Sequence, residues 1–295
     1  MSGNVFLCVL LFVCAATSSV HASDGKEKKR KRKAEAGYLT IRSGNVAISV
    51  DPKVGGRIAS MTLDGREILR TTRDPNHHHW GSTVWVAPQS DWKWPPSTVI
   101  DSEPYTVVES TEEKIVVRSK VDPSTGLQVT KHVEFNAKAQ HRPTAKLTYV
   151  VYNRGKQPRR VGVWENTRVN WDGRTRLPAG TKIRLSKPSA AVARIEREQA
   201  ISILFDEKQP HAQKLFCTPP LSDSNYTWNS FQIEDLVLTK SRRYPGKVAP
   251  DHAPLEIYLS PKDGFAELEN QGTYEEILPG KSTRMVVMWR LWIKK

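Results

Sequence analysis

From Tyr38 onward the chain reads as short stretches in which apolar or β-branched residues alternate with polar ones. Examples are "VAISVD" (46–51), "LQVTKHVEF" (127–135), "AKLTYVVYN" (145–153) and "RMVVMWRLWI" (284–293). A period of two is that of a half-buried strand, because successive side chains leave opposite faces of the backbone. Turn signals separate the stretches: Asp64-Gly65, Asn153-Arg154-Gly155, Pro178-Ala179-Gly180 and Pro279-Gly280. More than a dozen such strands, with no Gly/Ser-rich linker among them, predict one large all-β domain over residues 38–295, built of packed antiparallel sheets. No repeat of fixed period is visible, which disfavours a propeller or a β-helix. The longest irregular stretches, 71–83, 87–98 and 216–229, are where a compact β domain would carry function.

The first residues change this picture at one end. "VFLCVLLFVCAATSSV" leads into Val20-His21-Ala22, a small-residue cleavage pattern, so residues 1–22 read as a signal peptide and the protein as secreted or periplasmic. Its strongly apolar part, Val5 to about Ala16, is shorter than the roughly 20 residues a membrane helix needs, and no later segment is apolar enough to span a bilayer. Residues 23–37 read as a basic, disordered linker: seven Lys/Arg against three acids give it +4 of the chain's +14, so most of the positive charge lies elsewhere. A solvated linker, an anchor for an anionic polymer or surface, and a nucleic-acid tail all remain open for this run, though a leader just upstream argues against the last. Nucleic-acid binding is further disfavoured because the aromatic-plus-basic motifs of RNA-binding modules are missing. Two of the three cysteines lie in the leader, so Cys217 is the single later thiol, no intrachain disulfide forms, and stability must come from a core.

Candidate chemistry clusters in the first long loops. Trp80, Trp85, Trp92 and Trp94 fall within fifteen residues, out of nine tryptophans in all. Indole faces match the flat, partly apolar faces of sugars, and the neighbouring polar groups supply hydrogen bonds. In "DWKWPP" an extended backbone would put Trp92 and Trp94 on one side; the competing reading is that the rings plug one end of the sandwich, and Trp85, inside "STVWVA", reads as core. The run His77-His78-His79 brings metal to mind, but no spaced Cys, His or Glu partner follows, so no metal is expected and His79 reads as a polar group beside a binding cleft. Two strands place acids where alternation predicts core: "VGVWENTRVNW" with Glu165, Asn166 and Arg168, and "FAELEN" with Glu267 and Glu269. Carboxylates facing a cleft can act as bases with pKa values tuned by burial; a solvent-facing strand edge is the plainer account of each acid alone.

Three segments together resemble the aldose 1-epimerase, or galactose mutarotase-like, superfamily: "VGGRIASMTLDGREIL" (54–69), "AKLTYVVYNRGKQPRRVGVWENT" (145–167) and "FAELENQGTYEEILPGKSTRMVVMWRL" (265–291). The tryptophan-proline loop is similar to a branch whose members carry only a domain-of-unknown-function label. The resemblance implies a β-supersandwich with a sugar cleft across one sheet. It also implies that Arg57 lies toward that cleft and that Glu269 takes the place of a general-base glutamate. Where mutarotases present an Asn-His pair, this chain has "WENT", so Glu165 and Asn166 stand near the expected histidine. Glu165 could then supply the acid as one of a carboxylate pair with Glu269. The expected site is therefore Glu269 and Glu165 for chemistry, with Arg57, Trp80, Trp92, Trp94, Asn166 and His79 binding a saccharide or an anionic glycan, without a cofactor. An active enzyme would be an aldose 1-epimerase-like isomerase or a polysaccharide lyase; a non-catalytic carbohydrate-binding module is the alternative, and the sequence is silent on oligomeric state.

Overall fold

In the computed structural model the described residues are 37–73, 79–135, 143–187, 194–197, 200–205 and 211–295, so the expected leader, the basic run, His77 and His78 lie outside them. Two antiparallel sheets account for most of this chain. The eleven-stranded sheet runs in the order Leu39–Ser43, Val46–Asp51, Arg57–Leu63, Ser82–Ala87, Arg159–Asn170, Phe265–Gln271, Leu255–Ser260, Gln213–Thr218 and Lys182–Leu185. Two short strands, Arg66–Glu67 and Glu275–Ile277, pair off this path. The ten-stranded sheet runs Arg194–Arg197, Ala200–Leu204, Arg174–Pro178, Tyr226–Ile233, Leu236–Arg243, Ser282–Ile293, Thr144–Asn153, Leu127–Phe135, Lys114–Arg118 and Thr106–Ser110. The all-β expectation holds, and the only α-helical element among the described residues is the single turn Thr98–Asp101.

The two sheets bury their faces differently. In the ten-stranded sheet, Thr144–Asn153 and Ser282–Ile293 alternate buried with less buried positions, as strands with one face on a core must. In the other sheet, Val161 to Val169 and all of Phe265–Gln271 are buried at every position, so both faces of these two central strands are covered. The inner face meets the ten-stranded sheet in one core that includes Val84, Val163, Leu268, Leu147 and Val287. The outer face is covered by the tryptophan loop and by side chains of its own. Cys217 is part of the core, and burial pushes its thiol pKa up, which keeps it an inert small side chain.

The turn Gly55-Gly56 fixes the start of Arg57–Leu63. Both glycines have positive φ, and a Cβ on Gly55 would collide with the Asp101 carbonyl. Only glycine lets this turn press against the Thr98–Asp101 turn.

Candidate active site

The strand register decides which side chains share the outer face of the eleven-stranded sheet, because directly opposed residues point the same way. One row reads Trp85, Trp164, Gln271; the next reads Thr83, Asn166, Glu269, Glu256, Phe216; the third reads Arg168, Glu267, Tyr258, Lys214. Above these rows is a cleft of about 490 Å³ lined by Glu267, Glu269, Tyr258, Lys214, Trp85 and Trp164, with His79, Trp94, Gln89 and Gln213 at its margin.

Charge on the cleft floor is not balanced one to one. Lys214 Nζ lies 3.0 Å from Glu269 Oε2 and 2.8 Å from Glu256 Oε2, so one ammonium serves two carboxylates. Trp164 Nε1 donates to the same Glu269 oxygen at 2.6 Å. Burial pushes the Glu269 carboxyl well above its ordinary range; Lys214 opposes this, but Glu256 and Glu267 add to it. Burial would raise Glu256 as well, yet Lys214 and the neighbouring His252 prevail and hold it down to about 2. His252 Nδ1 stands 3.1 Å from Glu256 Oε1, and the backbone N–H of Ala253 donates to that oxygen at 2.9 Å. Burial by itself would lower Lys214, but its two carboxylate neighbours raise it. Two carboxyls about one cation cannot both ionise cheaply in a dry site. Burial and the neighbouring carboxylates thus favour the protonated form of Glu269 over that of Glu256, and place a carboxyl of raised pKa on the cleft.

Glu267 is held separately. Arg168 Nε donates to its Oε1 at 2.8 Å, while the Arg168 guanidinium lies 4.8 Å from the centre of the Trp85 ring. Both terminal nitrogens of Arg168, and both amide atoms of Asn166, are buried without a hydrogen-bond partner. This places unspent hydrogen-bonding capacity directly beneath the floor.

The aromatic wall separates the two loop tryptophans. Trp94 is 49% exposed; it stacks parallel to His79 at 6.1 Å and meets Trp85 edge-on at 5.8 Å. Trp92 turns inward, donating its indole N–H to the Val86 carbonyl at 2.8 Å and packing on Trp85 and Trp164. One ring is offered to the cleft and the other pegs the loop to the sheet. Trp85, read as core, is buried but forms part of the cleft lining.

Of the residues singled out in the sequence, Glu269, Trp94 and His79 come together in the cleft. Asn166 sits on the cleft side of the sheet, opposite Glu269, but is fully buried. Glu165 does not pair with Glu269. It lies one residue along the strand and hence on the opposite face, where it meets Lys240 at 2.9 Å, Trp289 Nε1 at 3.1 Å and Asn270 Nδ2 at 2.6 Å between the sheets. Arg57 is likewise buried, bound to Asp101 at 3.0 Å and to the Trp80 carbonyl, with Trp80 itself buried against its guanidinium at 5.2 Å. Neither Arg57 nor Trp80 lines the cleft, because the Thr98–Asp101 turn captures the arginine first. Sequence reasoning missed Lys214, Glu256, His252 and Tyr258. Their one signal was a charged residue inside a short apolar strand, as Glu256 is in "PLEIYLS". Among the described residues no group of three or more His, Cys, Asp or Glu is arranged to hold a metal ion.

Solved structures with the same architecture include galactose mutarotase-like proteins. A galactose mutarotase-like protein from Lactobacillus casei is similar to this chain at a TM-score of 0.58 and 11% identity, covering 87% of this chain and 100% of its own. A galactose mutarotase-like protein from Clostridium acetobutylicum gives 0.57 and 13% over 86% and 94%. An aldose epimerase homologue from C. elegans gives 0.55 and 10% over 88% and 99%. Identities this low establish the fold alone. No functionally curated protein matches the chain. The model of one family, described as a domain of unknown function (DUF4380), matches residues 37–292. With nearly all of the two-sheet domain inside that match, the chain belongs to the DUF4380 family and carries the galactose mutarotase-like fold.

Proposed function

We propose that this is an exported saccharide-recognising protein whose outer cleft binds an aldose or uronate ring, with Glu269 as the proton-transfer group. The observation that carries the reading is the meeting, in one cleft of about 490 Å³, of an exposed indole and a carboxyl whose pKa is raised by burial. The galactose mutarotase-like and aldose epimerase names of the proteins that share the fold support a sugar as the ligand. A pyranose stacked on Trp94 would direct its hydroxyls to Glu267, Tyr258 and Gln213.

Opening a pyranose requires that the anomeric O–H lose a proton, that the bond from C1 to the ring oxygen break, and that the ring oxygen gain a proton. Glu269, its pKa raised by burial, is the donor to the ring oxygen. Glu267, two residues along the same strand and therefore on the same face, is the acceptor for the anomeric proton, with Arg168 holding its Oε1. Closing from the other face of the aldehyde returns both protons and inverts the anomeric centre. Lys187 on the lining and the basic balance of the chain support an anionic sugar as ligand. Binding that weakens as salt is raised is the expected sign.

The test is one-dimensional NMR of anomeric exchange in neutral aldoses and uronic acids, with wild type and Glu269→Gln. Acceleration in wild type that disappears in the variant supports the enzyme. The near-complete burial of Glu269 favours a second reading, a non-catalytic binding module, whose mark is saturation transfer to a sugar without acceleration. Silence in both measurements overturns both readings.

A further inference from the structure

The solvent face of the ten-stranded sheet holds a second groove, of about 320 Å³, at the opposite side of the sandwich from the cleft. Its floor follows from alternation on neighbouring strands. Tyr226–Ile233 turns Trp228, Ser230 and Gln232 outward while Thr227, Asn229 and Phe231 go inward, and Leu236–Arg243 turns Val237, Thr239 and Ser241 outward. From Ser282–Ile293 comes Trp292, whose indole N–H donates to Thr239 Oγ1 at 3.1 Å. Trp228 is opposite Ser241, and Trp292 is opposite Val237. The backbone positions of the two tryptophans thus stand four residues apart along the strand direction and two strands apart across it, about 13 Å by about 10 Å. They flank a floor lined by hydroxyls and an amide.

A sheet face meant only for water has no use for two half-buried indoles set among hydroxyls. Cations surround them: Arg176 and Lys294 line the groove, and the Arg290 guanidinium lies 5.7 Å from the Trp292 ring. The Nε of Arg176 is buried without a partner. The nearby carboxylates Glu234 and Asp235, at the hairpin end, are already paired with Arg66.

We infer that this groove is a second saccharide-binding surface, selective for a segment of acidic oligosaccharide or polysaccharide. Trp228 and Trp292 supply stacking platforms, Ser230, Thr239 and Ser241 hydrogen bonds, and Arg176 with Lys294 the charge. The inference rests on the outer face alone and stands whether or not the cleft turns over a sugar.

Affinity electrophoresis of the whole chain in gels containing polygalacturonate or dextran tests it. Wild type should be retarded by polygalacturonate and not by dextran. The Trp228→Ala/Trp292→Ala variant should lose about tenfold or more in affinity for polygalacturonate. Because that variant could fold poorly, Arg176→Glu/Lys294→Glu is the companion: it leaves the indoles in place and should lose retardation with an unchanged melting temperature. Trp94→Ala, which alters only the cleft, should lose at most the cleft's share of the retardation and stay well above both groove variants. Retardation abolished by Trp94→Ala but kept by both groove variants would move the binding to the cleft and overturn the inference. Equal retardation by dextran overturns the acidic class, and no retardation by polygalacturonate overturns the surface.

Discussion

Glu165 and Glu269 are carboxylates on neighbouring strands, one register step apart, both withdrawn from water, yet they do opposite things. Glu165 faces inward, where it has a cation of its own in Lys240 and indole and amide donors in Trp289 and Asn270. Glu269 faces the cleft and must share Lys214 with Glu256. A buried charge with a full set of partners fixes a structure; a buried acid short of a partner keeps its proton and can deliver it. Counting cations per carboxylate separates the two roles, where burial alone cannot.

The largest effect that sharpens the comparison is on stability. Glu165→Ala strands the Lys240 ammonium between the sheets and should cost about 3–5 kcal/mol, read from urea unfolding. Glu269→Gln keeps an amide where the acid stands, so its unfolding midpoint should stay near wild type at pH 4, where the carboxyl is neutral in the folded and unfolded chain alike. If the two substitutions cost the same, the division between inner and outer face is wrong.

Next in size is turnover. Loss of a general acid is typically worth about 10²–10⁴ in rate, so Glu269→Gln should remove anomeric acceleration by that factor while saccharide affinity persists. Glu267→Gln should remove acceleration as well, since it takes the proton acceptor.

The pH dependence of stability comes third. The folded-state pKa of Glu269 is raised above its ordinary value of 4.5, so its stabilising contribution is complete below that pH and is lost as pH rises toward the folded pKa. Glu269→Gln lacks this loss, and the variant should gain on wild type as the pH of unfolding is raised from 4 toward 8. Glu256, held down to about 2, behaves in the opposite sense. It stabilises above the unfolded carboxyl pKa, and that contribution fades as pH falls toward 2. Glu256→Gln should therefore weaken the fold most at neutral pH and least in acid.

The smallest effect divides the two loop tryptophans. Trp94→Ala should weaken saccharide binding by about 0.5–1.5 kcal/mol and leave the melting temperature almost unchanged. Trp92→Ala removes the peg on Val86, Trp85 and Trp164, so it should lower the melting temperature more than Trp94→Ala does.

Much of the fold was legible because strands with one dry face, such as Ser282–Ile293, write their period of two into the sequence. The site was less legible for the converse reason. Val161–Val169 and Phe265–Gln271 are covered on both faces, so nothing in the local pattern tells an inward Glu165 from an outward Glu269. Only pairing with the neighbouring strand does that. Lys214 and Glu256 are distant in sequence and meet because Gln213–Thr218 and Leu255–Ser260 are adjacent in the sheet. Arg57 was misjudged through a partner on the Thr98–Asp101 turn, which no spacing in the sequence announces.

The contrast between Glu165 and Glu269 is read most directly at the Glu269 carboxyl, whose pKa burial raises. Carbon NMR of the protein labelled at the glutamate carboxyl carbons reads it directly at pH 7. The account predicts one glutamate in the carboxylic-acid position of the spectrum, absent in Glu269→Gln and present in Glu267→Gln. A wild-type spectrum in which every glutamate is ionised at pH 7, and all of them titrate near or below the ordinary carboxylate range, would contradict it.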